Sequence, residues 1–143
     1  GDYSVWAVEA AAATGLPVWV GIAVEEDAEG DLIGFGRPGW RLDDFVESLV
    51  RSAPAMVSVM HSAPNVTGPA LDVVRRHWRG SLGAYAESGY FAMPDWQFID
   101  IIPEAEYVGL AREWAEVFDL AMIGGCCGIG PSHIAALHAA FKP

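Results

Sequence analysis

The two cysteines of the 143-residue chain stand next to each other, at Cys126 and Cys127, with glycines on both sides. Adjacent side chains of a β-strand point to opposite faces, so neighbouring thiols do not normally reach one target. Flanking glycines adopt backbone angles that other residues avoid, and they allow the two thiols to converge. Two converging thiolates are ligands for a soft metal ion, and zinc is the first candidate. A further ligand must come from elsewhere in the chain.

The segments that must position these thiols alternate between apolar strands and helices. Apolar runs predict four buried strands, at residues 17–24, 55–61, 82–87 and 120–124. Helical spacing of apolar residues predicts five helices, at residues 3–14, 42–51, 69–78, 103–118 and 131–141. Because the strands are apolar almost throughout, we expect them to be parallel, in sequential order, with helices outside. A glycine-rich acidic loop (27–40) and an aromatic loop (90–102) follow the first and third strands, where α/β proteins place their sites.

The composition indicates one α/β domain over residues 1–143, because 52% of the residues are hydrophobic. The formal net charge of −11 argues against nucleic acid and anionic membranes as partners. No apolar stretch approaches the roughly 20 residues that a membrane-spanning helix needs. Adjacent cysteines make a poor disulfide staple, so we expect a reducing, cytoplasmic location.

Three segments resemble the homocysteine S-methyltransferase family. The sequence IGGCCGIGPSHI at residues 123–134 is similar to the family signature at the last barrel strand, and TGLPVWV (14–20) and YAESG (85–89) resemble two further family segments. The resemblance covers almost the whole chain but only the second half of the family's (βα)8 barrel. It implies a half barrel of four parallel strands with outer helices, in which the part that holds most of the amino-acid substrate is missing.

The resemblance also implies a zinc site with Cys126 and Cys127 as two of its three ligands. The family has an Asn-Cys pair at the third position, where this chain has Met60 and His61. Zinc accepts an imidazole nitrogen as well as a thiolate, so His61 is the expected third ligand, within about 4–5 Å of both sulfurs. His61 as a hydrogen-bonded core histidine, and the cysteines as small buried apolar residues, are the structural alternatives.

By resemblance, homocysteine would bind zinc through its thiol and take a methyl group from an electrophilic donor, giving methionine. The family's asparagine in YPN is replaced by Glu87, a candidate for substrate contacts. Tyr90, Phe91 and Trp96 are candidates for cation–π contacts with a methyl donor, or they simply pack the loop. The alternative functions are a zinc- or small-molecule-binding half barrel without transferase activity, and a truncated remnant.

A half barrel would leave two open sheet edges and an apolar inner face. Unpaired edges and exposed apolar surface promote association. We therefore expect a homodimer that buries these surfaces, with closure into a complete (βα)8 barrel as its most specific form.

Overall fold

The computed structural model describes residues 3–94 and 97–142. The helices in these ranges are α1 (Tyr3–Ala12), α2 (Leu42–Val50), α3 (Pro64–His77), α4 (Glu104–Phe118) and α5 (Pro131–Phe141). The strands are β1 (Trp19–Glu26), β2 (Leu32–Gly34), β3 (Met56–Met60), β4 (Ser81–Tyr85), β5 (Tyr90–Ala92), β6 (Gln97–Ile99) and β7 (Met122–Ile123). None of the described helices is both long and apolar enough to cross a lipid bilayer.

The main sheet has the strand order β2-β1-β3-β4-β7. The four strands predicted from the sequence, β1, β3, β4 and β7, are parallel and follow one another in sequential order. This prediction is confirmed. β2 pairs antiparallel with the last residues of β1, and β5 and β6 form a separate antiparallel hairpin. The described chain is therefore a mixed α/β fold dominated by parallel pairing.

The hydrophobic core lies between one face of the sheet and the helices. Val57, Val59, Leu82 and Ala84 alternate along β3 and β4 and are at most 1% exposed. They belong to one cluster with buried residues of all five helices, among them Leu71 of α3. Alternation along each strand then sends the intervening residues, such as Ser58 and Met60, to the opposite face of the sheet.

On that opposite face, side chains of β3 and β4 lie close to the backbone of β1. The hydroxyl of Tyr85 donates to the sulfur of Met60 at 3.1 Å. A Cβ atom at Gly21 would lie 2.5 Å from the Tyr85 oxygen and 2.6 Å from the Met60 sulfur, so any larger residue would have to displace the ends of these two side chains. Burial and the charge of Cys126 raise the pKa of Tyr85, which keeps this hydroxyl a donor at neutral pH.

One predicted helix boundary is wrong. α3 begins at Pro64, five residues before the predicted start at Pro69. A proline is well placed in the first turn of a helix, where its missing N–H has no partner to lose, so Pro64 starts the helix and Pro69 lies inside it. The hydroxyl of Thr67 donates to the Ala63 carbonyl at 2.9 Å and supports the first turn.

The two segments predicted as loops also contain strands. β2 lies in residues 27–40, and β5 and β6 lie in residues 90–102. Each of these strands has three residues, which is too short for a period-two pattern to be distinguished from a loop. The other predicted boundaries differ from the structure by at most two residues.

Candidate metal centre

Four of the predicted site residues meet at the carboxyl-terminal edge of the parallel strands. His61 follows β3 directly, Glu87 comes two residues after β4, and Cys126 comes three residues after β7. Because parallel strands end at the same edge, residues distant in sequence become neighbours there.

The nitrogen and sulfur atoms of His61, Cys126 and Cys127 all lie within 4.8 Å of one another. Nδ1 of His61 is 3.8 Å from the Cys126 sulfur and 3.5 Å from the Cys127 sulfur. The two sulfurs are 3.9 Å apart. All three residues are partly buried, so the cluster is reachable from solvent.

The backbone after β3 places the His61 ring in this group. In a continued strand His61 would share the helix-facing side with Val59, but its φ of 43° ends the strand in the left-handed region. The next residue, Ser62, is buried; its hydroxyl donates to the Met60 carbonyl at 2.7 Å and accepts from the Val24 N–H at 2.9 Å. These two hydrogen bonds of Ser62 fix the turn after β3 against β1, and this turn holds His61.

The two cysteines are held by backbone hydrogen bonds to the segment after β4. The Cys126 N–H donates to the Ala86 carbonyl, and the Ser88 N–H donates to the Cys127 carbonyl, both at 2.9 Å. Gly128 then turns the chain with a φ of +75°. A Cβ at Gly128 would lie 1.9 Å from the Ser88 oxygen, so the close approach of the two segments requires glycine.

Glu87 and Phe35 complete the surroundings of the cluster. Oε2 of Glu87 lies 2.6 Å from Nδ1 of His61, the same nitrogen that faces the sulfurs. Burial, the adjacent Cys126 and the charge of Glu87 raise the pKa of the Cys127 thiol. The Phe35 ring packs edge-on against the His61 ring with centroids 5.1 Å apart. Among the described residues, Glu87 thus gives the site an acidic neighbour and Phe35 an aromatic one.

A family model described as homocysteine S-methyltransferase matches residues 4–141. The chain belongs to the homocysteine S-methyltransferase family. A comparison with curated proteins finds no match. Membership of the homocysteine S-methyltransferase family confirms the resemblance found in the sequence, and it makes methyl transfer to homocysteine the first function to weigh.

The donor set fits the zinc ion that the homocysteine S-methyltransferase resemblance implies. With zinc–sulfur bonds of about 2.3 Å and zinc–nitrogen bonds of about 2.05 Å, a tetrahedral site places two sulfurs about 3.8 Å apart and sulfur and nitrogen about 3.6 Å apart. The three distances in the cluster agree with these values to within about 0.2 Å. Two thiolates and one imidazole also match the ligand preference of zinc and leave one tetrahedral position free.

The remaining described candidates, Tyr90 and Phe91, lie in β5. Tyr90 is 56% exposed in β5 and, within residues 3–94 and 97–142, forms no hydrogen bond with the four clustered side chains. Trp96 lies outside the described residues. Phe91 packs against Phe98 across the hairpin, with ring centroids 5.2 Å apart.

Sequence reasoning missed several residues that shape the site. Ser62 and Phe35 belong to no motif in the sequence, because each acts through a contact with a distant segment of the chain. His133 is 6% exposed, with Nε2 2.7 Å from the Ile102 carbonyl. Tyr107 is buried in α4, and its hydroxyl donates to the Gly124 carbonyl.

Proposed function

We propose that this protein is a zinc-dependent, homocysteine S-methyltransferase-like protein that methylates the thiol of homocysteine to give methionine once a partner or the missing half of the barrel completes its active site. The observation that carries the proposal is the cluster of Cys126, Cys127 and His61, whose donor atoms are spaced as a tetrahedral zinc site requires. Family membership over residues 4–141 supports homocysteine as the acceptor.

Cys126, Cys127 and His61 would hold the metal, each through one donor atom. When bound, zinc supplies a Lewis acid that lowers the pKa of a coordinating substrate thiol and so makes it nucleophilic near neutral pH. Glu87, next to His61, is placed to contact the ammonium group or thiol side of the amino acid. Tyr90 and Trp96 remain aromatic candidates for contacts with the methyl donor, and Phe35 is a further one because its ring packs against His61.

The expected result for the purified, reduced protein is about one zinc per chain. Methionine formation from homocysteine, tested with a panel of sulfonium, betaine, methylfolate and methylcobalamin donors, is expected of the form in which a second chain completes the active site. Removal of the zinc with a chelator should abolish methionine formation. Metal analysis, thiol titration and a methionine assay on the same sample test this. Zinc without turnover in the self-associated protein would support the alternative, a metal-binding domain without transferase activity, and protein that binds no zinc would contradict the proposal.

We also propose that the sheet is half of a (βα)8 barrel that pairs with a second copy of the chain. Among the described strands, β7 is paired on the β4 side alone, and β1 is paired on its outer side by β2 at Val24–Glu26 alone. An apolar groove of about 380 Å³ runs beside β7 and α5, lined by residues such as Met122, Ile134 and Phe141. Trp19, at the other edge, is 67% exposed. Two copies would cover both edges.

Sedimentation at micromolar concentration should therefore give a particle of twice 15.3 kDa. A charged substitution in the groove, Met122→Glu, should shift the protein toward monomer, while the surface substitution Glu116→Lys should not. A stable, soluble monomer of the unmodified chain would contradict the dimer, and it would leave the zinc proposal untouched.

A further inference from the structure

Tyr107 is a fully buried tyrosine of α4 whose hydroxyl reaches the strand end before the cysteines. It is 0% exposed, and its hydroxyl donates to the Gly124 carbonyl at 2.8 Å. Burial raises the pKa of Tyr107 to about 12, partly offset by a backbone hydrogen bond from Ala86. The hydroxyl therefore stays protonated and remains a donor at neutral pH.

The hydroxyl takes the place of one backbone bond between β4 and β7. The Gly124 N–H donates to the Ala84 carbonyl, and the Cys126 N–H donates to the Ala86 carbonyl. In an uninterrupted parallel ladder the Ala86 N–H would donate to Gly124 between these two bonds. The Gly124 carbonyl accepts from the Tyr107 hydroxyl instead. A side chain of α4 thus replaces a backbone donor of the β4–β7 pairing, two residues before Cys126.

The segment that this bond restrains has an intrinsically flexible backbone. Gly124 and Gly125 are consecutive glycines, whose backbone is freer than that of any other pair of residues. The Tyr107 ring is in turn held by edge-on contacts with Trp114 and His133, at centroid distances of 6.2 and 6.0 Å. The tightly packed Tyr107 side chain thus restrains the flexible Gly124–Gly125 backbone, which directly precedes both cysteines.

We propose that Tyr107 is a positioning residue for the thiol pair: its hydroxyl orients the Gly124–Gly125 peptide and so sets the angle at which Cys126 and Cys127 converge. The inference rests on the proposed metal site, although the convergence of the two thiols is measurable without metal. The phenyl ring alone fills the space in α4, so the positioning effect belongs to the hydroxyl.

The test is Tyr107→Phe, which removes the hydroxyl and keeps the ring. We expect zinc affinity to fall by about 10-fold or more, in the range of losses seen when partners outside the ligand shell are removed. We also expect weaker binding of phenylarsine oxide, which needs two converging thiols, while a reagent that modifies single thiols reacts as before. The thiolate-to-cobalt absorption of the Co²⁺ form should shift in energy or intensity.

The matched control is Trp114→Phe, which loosens the same buried cluster without touching the Gly124 carbonyl. It should lower the unfolding temperature yet leave zinc affinity, arsenical binding and the cobalt spectrum unchanged. Wild-type values for Tyr107→Phe in both the metal and the arsenical measurement would overturn the inference, as would equal losses in Trp114→Phe. If the unmodified protein binds no zinc, the proposed function fails, and the arsenical comparison alone then decides the role of Tyr107.

Discussion

Replacing His61 with alanine should lower the affinity for zinc by more than about 100-fold. Loss of a partner outside the ligand shell typically costs about 10–100-fold, and His61 is proposed as a ligand itself. The imidazole nitrogen is the nearest donor to the Cys127 sulfur, at 3.5 Å, and without it two thiolates hold the ion alone. Competition with a chromophoric chelator measures the change. Methionine formation should fall in parallel.

Two further variants make this result specific. His61→Cys should retain zinc, because a thiolate at this position restores the three-sulfur ligand set of the family resemblance. His138→Ala removes a histidine of α5 outside the cluster and should bind zinc as the unmodified protein does. Unchanged zinc affinity in His61→Ala would show that the imidazole is a packing group for Phe35 and Glu87, and would contradict its role as a ligand.

Replacing Gly128 with alanine should destabilise the fold by more than about 2 kcal/mol and abolish zinc binding. A left-handed backbone alone costs a non-glycine residue about 1–2 kcal/mol. At Gly128, with φ +75°, the new methyl group would also lie 1.9 Å from the Ser88 oxygen. Relief of that overlap requires the segment after β4 to separate from the cysteine turn. Chemical denaturation and zinc titration measure the two effects.

Gly15 offers a matched control for the cost of placing alanine in a left-handed backbone conformation. Its φ is +77°, and no atom lies within 4 Å of the position of a Cβ. Gly15→Ala should therefore cost only the left-handed penalty of about 1–2 kcal/mol and leave zinc binding intact. Equal losses of stability in the two variants would mean that the approach of Ser88 to Gly128 does not restrain the turn.

Much of the sheet and of the cluster was predictable from local pattern. The parallel strands are apolar almost throughout, and glycine or proline marks their ends, so β1, β3 and β4 lie close to the predicted positions. Cys126 and Cys127 were predictable as metal ligands because they are adjacent and lie between glycines. His61 came from the family resemblance rather than from any pattern in the residues, because a single histidine at a strand end has no spacing to interpret.

The contacts between distant segments were not predictable in the same way. Ser62 binds Val24, and Tyr107 binds Gly124, in each case across a sequence separation that depends on how the strands and helices pack. The contact between Glu87 and His61 joins the ends of two strands and appears only once they are side by side. Such contacts are decided by tertiary packing, which a local sequence window does not contain.

The 65-residue separation between His61 and Cys126 has a consequence for folding as well as for chemistry. An ion bound by both residues ties the chain into a closed loop, as a disulfide would, and removes conformational freedom from the unfolded state. For a loop of this length the chain-entropy relation gives about 4 kcal/mol. This cross-link would fasten β7, the shortest strand of the main sheet, to β3 across β4. Demetallation would then loosen one border of the sheet first, and proteolysis there would report metal loss before any global unfolding.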